Sequence, residues 1–377
     1  MADTSPGFTI GIEEEYLLVD LTSRQLAADP PEALFQRCSK ILPDMVTHEF
    51  LRAQIEVGTP VCESLQEARQ QLSHLRSSVA EVAAGFGLGL IAASSHPFAH
   101  WANQQHTRLD RYDLLAEDLQ GVVRRLLTCG MHVHVGIPDD DQRIDLMNQA
   151  IYFLPHLLAL STSSPFWGGD DTGLNSYRLS VFNELPRTGL PDRFNSFAEY
   201  QRHVDVLVKT GLIKDASMLW WDIRPSNNFP TLEMRITDVC TRLDDAISIA
   251  ALYVSTMRML ANLRLNNQRW RQYAPMLIHE NRWRAQRYGI SEGLIDFGSQ
   301  EKAAFSELLE EWLQLINQAA LELGCSKEVS HARKILTTGT SADKQRAIYQ
   351  QATNAGHSHE DALQKVVDWL IDETINV

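Results

Sequence analysis

The sequence predicts an α+β fold: a curved antiparallel sheet with a concave face lined by metal-binding side chains, helices on its back and a mainly helical C-terminal portion. Two observations lead there. Strand-like segments dominate the first part of the chain and helical periodicity the last, without the βαβ alternation of a parallel sheet. In addition, four strand-like segments are apolar on one side and carry Glu or His on the other, the pattern of a sheet packed on one face only. With 377 residues, 44% of them hydrophobic, the chain can bury a sizeable core. No repeat or low-complexity linker divides it, so we expect a single domain over residues 1–377, with a sheet-forming core at about 7–240 and mainly helical residues 241–377.

The elements follow in order. Gly7–Val19, Met45–Thr59 and Leu88–Ser94 read as strands. Between them, Ser64–Gly85 reads as a helix, because Leu65, Ala68, Leu72, Leu75, Val79, Val82 and Ala83 recur close to a 3.6-residue period. Val122–Gly136 contains a strand ended by Pro138 and the acidic loop Asp139-Asp140-Asp141. Gln142–Ser163 reads as a helix, whereas Ser164–Asn195 is rich in Gly, Pro, Asp and Asn and holds little regular structure. A loop that long inside a compact domain is more often functional than idle. A helix at Ser196–Gly211 precedes strands at Trp220–Arg224 and Thr231–Asp238. Helices at Asp244–Leu263, Gln300–Leu323, Ser326–Leu336, Ala342–Ala352 and Glu360–Glu373 complete the chain.

The formal net charge of −14 disfavours nucleic acid and anionic membranes as partners, since the long-range field repels both. Anionic small substrates stay open, because local arginines or metals override a global field. Five cysteines, an odd number without CxxC spacing, imply reduced thiols and a cytoplasmic location. Met1–Gly7 has no apolar stretch of the kind that marks a secretory signal. The longest apolar run, near Ile151–Leu160, contains Pro155 and His156 and reads as a buried helix, too short to span a bilayer.

The chemistry lies in the one-sided strands. In Gly11-Ile12-Glu13-Glu14-Glu15-Tyr16, alternation puts Glu13 and Glu15 on one face and Ile10, Ile12, Tyr16 and Leu18 on the other. Two carboxylates side by side on a half-buried strand repel each other and lose hydration, and a divalent cation resolves both problems. In Gly130-Met131-His132-Val133-His134-Val135-Gly136, two imidazoles flanked by glycines share a face that something must approach closely. In Leu232-Glu233-Met234-Arg235-Ile236-Thr237, Glu233, Arg235 and Thr237 share a face. Glu49 and Glu56, within His48–Thr59, complete the set. Each pattern alone has an ordinary explanation: an exposed edge strand, surface histidines, a structural ion pair. Together they place carboxylates and imidazoles on one sheet face, a donor set suited to Mg²⁺ or Mn²⁺. Such ions are usually completed by substrate phosphates, which points to nucleotide chemistry. No GxxxxGK[ST] or GxGxxG motif occurs, so ATP would be held by metals and arginines, with Arg178, Arg224, Arg235, Arg282 and Arg287 as candidates.

These residues resemble those of the YbdK-like carboxylate–amine ligases, also called type 2 glutamate–cysteine ligases. The similarity is carried by Gly11-Ile12-Glu13-x-Glu15, Ser95-His96-Pro97-Phe98, Arg111-Tyr112, His132-Val133-His134-Val135-Gly136, Asp222-Ile223-Arg224-Pro225, Leu232-Glu233-Met234-Arg235 and Arg287-Tyr288-Gly289. The Glu-x-Glu, Gly-Met-His-x-His and Glu-x-Arg strands are similar to those of glutamine synthetase as well. The resemblance implies a glutamine-synthetase-like fold with two or three divalent ions. It implies that Glu13, His132 and Glu233 hold the ion between the β- and γ-phosphates of ATP. By the same resemblance Glu15, Glu56 and Glu49 hold the ion nearer an acyl phosphate, while Arg235 and Arg224 neutralise phosphate charge. His134, Arg178, Arg282 and Arg287 are then expected to bind ATP or substrate. The implied reaction joins glutamate and cysteine, small-molecule partners, in an enzyme for which a homodimer is one compatible assembly. A metal-dependent hydrolase of small amides and a non-catalytic binding protein are the alternatives. Glu14 falls on the apolar face of its strand and fits none of these roles.

Overall fold

The computed structural model describes residues 8–108, 117 and 119–377. Met1–Gly7 and the Arg111-Tyr112 pair lie outside them. The centre is a seven-stranded sheet: β1 (Ile10–Asp20), β2 (Val46–His48), β3 (Gln54–Gly58), β4 (Leu88–Ile91), β5 (Met131–Gly136), β6 (Ile223–Pro225) and β7 (Thr231–Met234). The order is β6-β7-β5-β1-β3-β2, with β4 also pairing β1, and every ladder is antiparallel. On its other edge β1 pairs β5 through Ile10–Glu14 and β4 through Leu17–Asp20.

Several helices pack behind the apolar side, whereas a short one at Arg178–Phe182 borders the open face. In order the helices are α1 (Glu32–Ile41), α2 (Leu65–Ala84), α3 (Asp140–Ala150), α4 (Leu154–Ser161), α5 (Arg178–Phe182), α6 (Phe197–Lys209), α7 (Leu243–Leu265), α8 (Pro275–Tyr288) and α9 (Phe305–Glu322). Short helices Ser326–Ser330 (α10) and Ala332–Thr338 (α11) lead to α12 (Ser341–Asn354) and α13 (His359–Thr374). Ser64 caps α2 by accepting the Glu67 N–H at 3.2 Å. The α2 face Leu65, Ala68, Leu72, Leu75, Val79 and Val82 is buried, each large member contributing about 1.5–3 kcal/mol. One apolar cluster runs from Phe8 to Leu370, uniting the sheet with the C-terminal helices.

The back layer also explains Glu14. Its carboxylate is fully buried and receives Arg76 of α2 through two bonds, Nη2 to Oε1 at 2.6 Å and Nε to Oε2 at 2.8 Å. The Tyr16 hydroxyl donates to Oε2 at 2.6 Å, and Arg76 also donates to the carbonyls of Cys240 and Thr241 just before α7. This pair ties β1, α2 and the entry to α7 together. A bidentate, fully hydrogen-bonded arrangement is the condition under which a buried charge pair persists.

Several boundaries differ from expectation. Met45–Thr59 is two strands, because residues 49–53 turn the chain back so that Thr47 faces Glu56. The Gln142–Ser163 helix is interrupted by a 3₁₀ turn at Ile151–Phe153, and α4 restarts with Pro155 in its first turn, where a missing N–H costs nothing. Strand character ends at Met234, not Asp238: Arg235 and Ile236 both donate their N–H to the Asp222 carbonyl, at 2.8 and 3.1 Å, a bulge that breaks alternation. Thr237 is therefore buried, with its hydroxyl on the Met131 carbonyl, rather than on the face of Glu233. Trp220-Trp221 pairs separately, in parallel, with Thr188-Gly189. A short hairpin (Leu294–Asp296 with Glu301–Ala303) precedes α9 where helix was expected from Gln300. Helices α1 and α8 were not anticipated. Among the described residues α7 alone is long and apolar enough to cross a membrane, against the expectation of no such run, and 89% of its apolar window is buried inside the protein.

Candidate active site on the open sheet face

The open face of the sheet forms the floor of a cavity of about 450 Å³, and strand register decides which side chains meet there. Glu13 stands opposite His132, and Glu15 opposite Glu56. Glu233 stands opposite both His134 and Arg224. Residues on the same face of neighbouring strands lie within side-chain contact, so six carboxylates and imidazoles converge from four strands. Glu49 joins from the turn between β2 and β3.

Two groups of three result. In the first, Glu13, His134 and Glu233 offer ligand atoms all within 4.8 Å of one another; in the second, Glu15, Glu49 and Glu56 do the same. His132 lies against the first group, with Nδ1 3.1 Å from Glu13 Oε2. The Nε2 atom of His132 is buried with no hydrogen-bond partner, and that of His134, also buried, faces Glu13 Oε1 at 3.4 Å. The His134 Nδ1 meets Thr231 Oγ1 at 2.9 Å, which fixes that ring and leaves Nε2 for a ligand. Buried imidazole nitrogens beside crowded carboxylates fit divalent cations, and the oxygen-rich donor set fits Mg²⁺ or Mn²⁺.

The two groups differ in compensation. Glu233 is clamped by two cations: Arg224 Nε at 2.8 Å from Oε2, and Arg235 Nη1 on Oε1. Burial alone would raise Glu233, but Arg235 and Arg224 hold it well below the carboxylate range. Burial likewise opposes ionisation of Glu13, yet hydrogen bonds from His132 and His134 bring it far down. Burial and the neighbouring Arg235 keep His132 below its usual value and neutral. Burial acts the same way on His134, but the bond to Glu13 and the charges of Glu233 and Glu13 raise it. In the second group burial pushes Glu49 well above its usual value, and the charges of Glu56 and Glu15 push it further. Glu15 and Glu56 are also raised by burial. Glu15 Oε2 accepts the Gly130 N–H at 2.7 Å, and Glu56 Oε1 accepts the Thr47 hydroxyl at 2.9 Å.

Arg178 lines the cavity from the start of α5, buried over the Phe182 ring, 5.4 Å from its centre. Its guanidinium donates to the carbonyls of Arg235 and Ile236 at 3.2 and 3.3 Å, leaving further donors for a ligand. The glycines flanking the His132-Val133-His134 stretch serve the protein's own side chains: a Cβ at Gly130, just before β5, would collide with Arg178, and one at Gly136 with Thr9. Two expected binders are placed elsewhere. Arg282 is buried against Asp222, with Nε 2.6 Å from Oδ2 and Nη2 3.0 Å from Oδ1, and does not line the cavity. Arg287 lies on the Gly173 carbonyl and beside the Tyr288 ring, again outside it. Lining residues not anticipated include Thr47, Gln54, Thr128, Trp220 and Phe229. Phe229 offered a signal, an aromatic in the turn-forming run Ser226–Pro230; the others depend on pairing that sequence alone does not give.

The open face of the sheet thus gathers carboxylates, imidazoles and arginines in one cavity. Solved structures share the fold. A glutamate–cysteine ligase from Francisella tularensis, determined in complex with AMP, superposes with a TM-score of 0.67 at 13% identity, over 98% of this chain and 89% of that one. A bifunctional glutathione synthetase from Pasteurella multocida also reaches 0.67, at 16% identity, over 97% of this chain and 52% of that one. The profile of glutamate-cysteine ligase family 2 matches residues 9–368, and the chain belongs to that family. Relatives provisionally named glutamate–cysteine ligase 2 include one from Rhodospirillum rubrum, 63% identical over 98% of this chain and 96% of the relative. Another, from a Jannaschia species, is 56% identical over 97% and 96%.

Proposed function

We propose that this protein is an ATP-dependent carboxylate–amine ligase that activates an amino-acid carboxylate as an acyl phosphate and passes it to an amine. Glutamate and cysteine are the pair that the relatives' names support. The observation that carries the reading is the convergence of two three-ligand groups and three arginines on one cavity. Glu13, His134 and Glu233, with His132 beside them, would hold one divalent ion, and Glu15, Glu49 and Glu56 another. Ions bound there would screen the like charges of carboxylate and triphosphate and polarise the transferring phosphoryl group.

The protein's own groups do the rest. Arg224 and Arg235, fixed by Glu233, present positive charge to phosphate oxygens without moving. Arg178 offers its free N–H donors to the substrate carboxylate, or to the acyl phosphate that replaces it. A second hollow of about 520 Å³ shares Glu13, Glu56 and His134 with the first and is walled by Ile10, Met45, Val61, Phe229 and Pro230. Its apolar lining suits the base of a nucleotide whose phosphates lie at Glu13 and Glu233. Both reacting groups belong to substrates, so no protein nucleophile is required; burial pushes the nearby Cys129 thiol well above its usual value.

The test is ADP release with Mg²⁺ or Mn²⁺, ATP and pairs of amino acids. Glutamate with cysteine should stimulate release and yield the dipeptide. Absence of substrate-stimulated ADP across a broad panel of acids and amines would overturn the proposal.

A further inference from the structure

Away from the sheet, where α3 meets α4, the chain builds a second, chemically different hollow of about 160 Å³. That volume is close to the ~150 Å³ of an engineered cavity that holds benzene. Its walls are the rings of Tyr152, Trp270, Tyr273 and Trp312, with the carboxylates of Asp296 and Glu311 beside them. Tyr152 sits at the middle of the cluster, with ring centres 5.4 Å from both Trp270 and Tyr273. No described lysine or arginine lines the hollow. Two arginines lie nearby without lining it: Arg271, 5.3 Å from the Tyr273 ring centre, and Arg193, which donates to the Tyr273 carbonyl.

The local field is negative. Burial raises the Tyr152 hydroxyl above its usual value, and Tyr273, Asp296 and Glu311 add to the effect. His156, which also lines the hollow, is held by burial near pKa 4 and is neutral at physiological pH, so it adds no positive charge. The Trp270 Nε1–H is buried and without an acceptor. Several electron-rich ring faces, two carboxylates and one unused N–H donor form a recognition set for a small organic cation that carries an oxygen.

We infer that this hollow, formed by Tyr152, Trp270, Tyr273 and Trp312 with Asp296 and Glu311, is a binding site for a small quaternary or alkylated ammonium compound. Charge complementarity is the argument. A neutral aromatic ligand would leave the charges of Glu311 and of Asp296, which also accepts the Gly298 and Ser299 N–H groups, unanswered and the Trp270 N–H unused, and an anion would meet Asp296 and Glu311. The site shares no lining residue with the ligase cavity, so the inference does not depend on the proposed reaction.

The experiment is calorimetric titration of the full-length chain with choline chloride, alongside its neutral isostere 3,3-dimethyl-1-butanol. We expect saturable binding at one site per chain, with the cation favoured by about tenfold, as cation–π and carboxylate contacts together supply. Tyr152→Leu should weaken binding at least as much. Asp296→Asn, whose amide oxygen can still accept the Gly298 N–H, together with Glu311→Gln should erase the preference for charge. Glu13→Gln, in the ligase cavity, should leave choline binding unchanged. Absence of saturable choline binding would overturn the inference. So would equal affinity for the neutral isostere, or a double carboxylate variant that binds like the wild type.

Discussion

The two acidic groups of the cavity use the same residue type on the same sheet and are electrostatic opposites. Around Glu233 the protein supplies its own cations: Arg224 and Arg235 bond both carboxylate oxygens, so that charge is compensated before any ligand arrives. Around Glu49 it supplies almost none, and three carboxylates crowd together while burial raises all three. The first is a preformed charge lattice that, on the proposed function, would meet phosphate oxygens at no cost of reorganisation. The second is an electrostatic deficit that a divalent ion would fill. What separates them is register: Arg224 of β6 stands opposite Glu233 and Arg235 follows just beyond β7, whereas the residue opposite Glu56 on β2 is Thr47.

The contrast breaks most visibly under the same substitution at both places. Glu233→Gln leaves Arg224 and Arg235 buried without their counter-charge and should destabilise the protein by about 3–5 kcal/mol in urea unfolding. Glu49→Gln keeps the bond from the Phe50 N–H and removes a repulsion, so metal-free stability should be unchanged or higher. Equal losses from the two substitutions would dissolve the distinction.

Acid sharpens the comparison from outside both groups. His96 lies in the scaffold with Nε2 on the Arg24 carbonyl at 2.9 Å, while Nδ1 accepts the Ala99 N–H at 2.9 Å, so the ring must be neutral. Burial lowers its pKa to about 4. A histidine with a depressed folded pKa contributes stability that is complete above its unfolded value of about 6.5 and is lost as pH falls toward 4. The stability gap between wild type and His96→Asn should therefore narrow by about 2–3 kcal/mol from pH 7 to pH 4.5. A gap constant with pH would show that His96 is not held neutral.

The smallest expected effect belongs to Thr47→Val. It removes one hydroxyl from Glu56 and should cost about 1 kcal/mol or less in the metal-free protein. Because that hydroxyl orients a candidate ligand, divalent-ion affinity should fall more steeply, by roughly tenfold. Loss of stability without loss of affinity would remove Thr47 from the site.

Much of this was legible in the sequence, and the reason is periodicity. Glu13, Glu15, His132, His134 and Glu233 lie on strands whose opposite faces are plainly apolar, so alternation alone assigns them to one side. Where alternation stops, legibility stops with it. The bulge after Met234 moves Thr237 off the expected face, because two N–H groups share the Asp222 carbonyl. Arg282 and Arg287 have the same local look as Arg178, and only the fold shows that Asp222 and the Gly173 carbonyl take them. That His134 reaches both Glu13 and Glu233 while His132 meets Glu13 from the other side is a matter of ångströms, which spacing cannot reveal. Glu14 was legible as an exception but not as a clamp, since its partner Arg76 lies 62 residues away.

The measurement that bears most directly on the central claim is a Mn²⁺ titration of the nucleotide-free chain by electron paramagnetic resonance, in wild type and in Glu49→Gln. Saturable binding in the wild type, weakened at least about tenfold in the variant, is the predicted result. Binding unchanged by Glu49→Gln, or no binding by the wild type with or without ATP, would contradict the account.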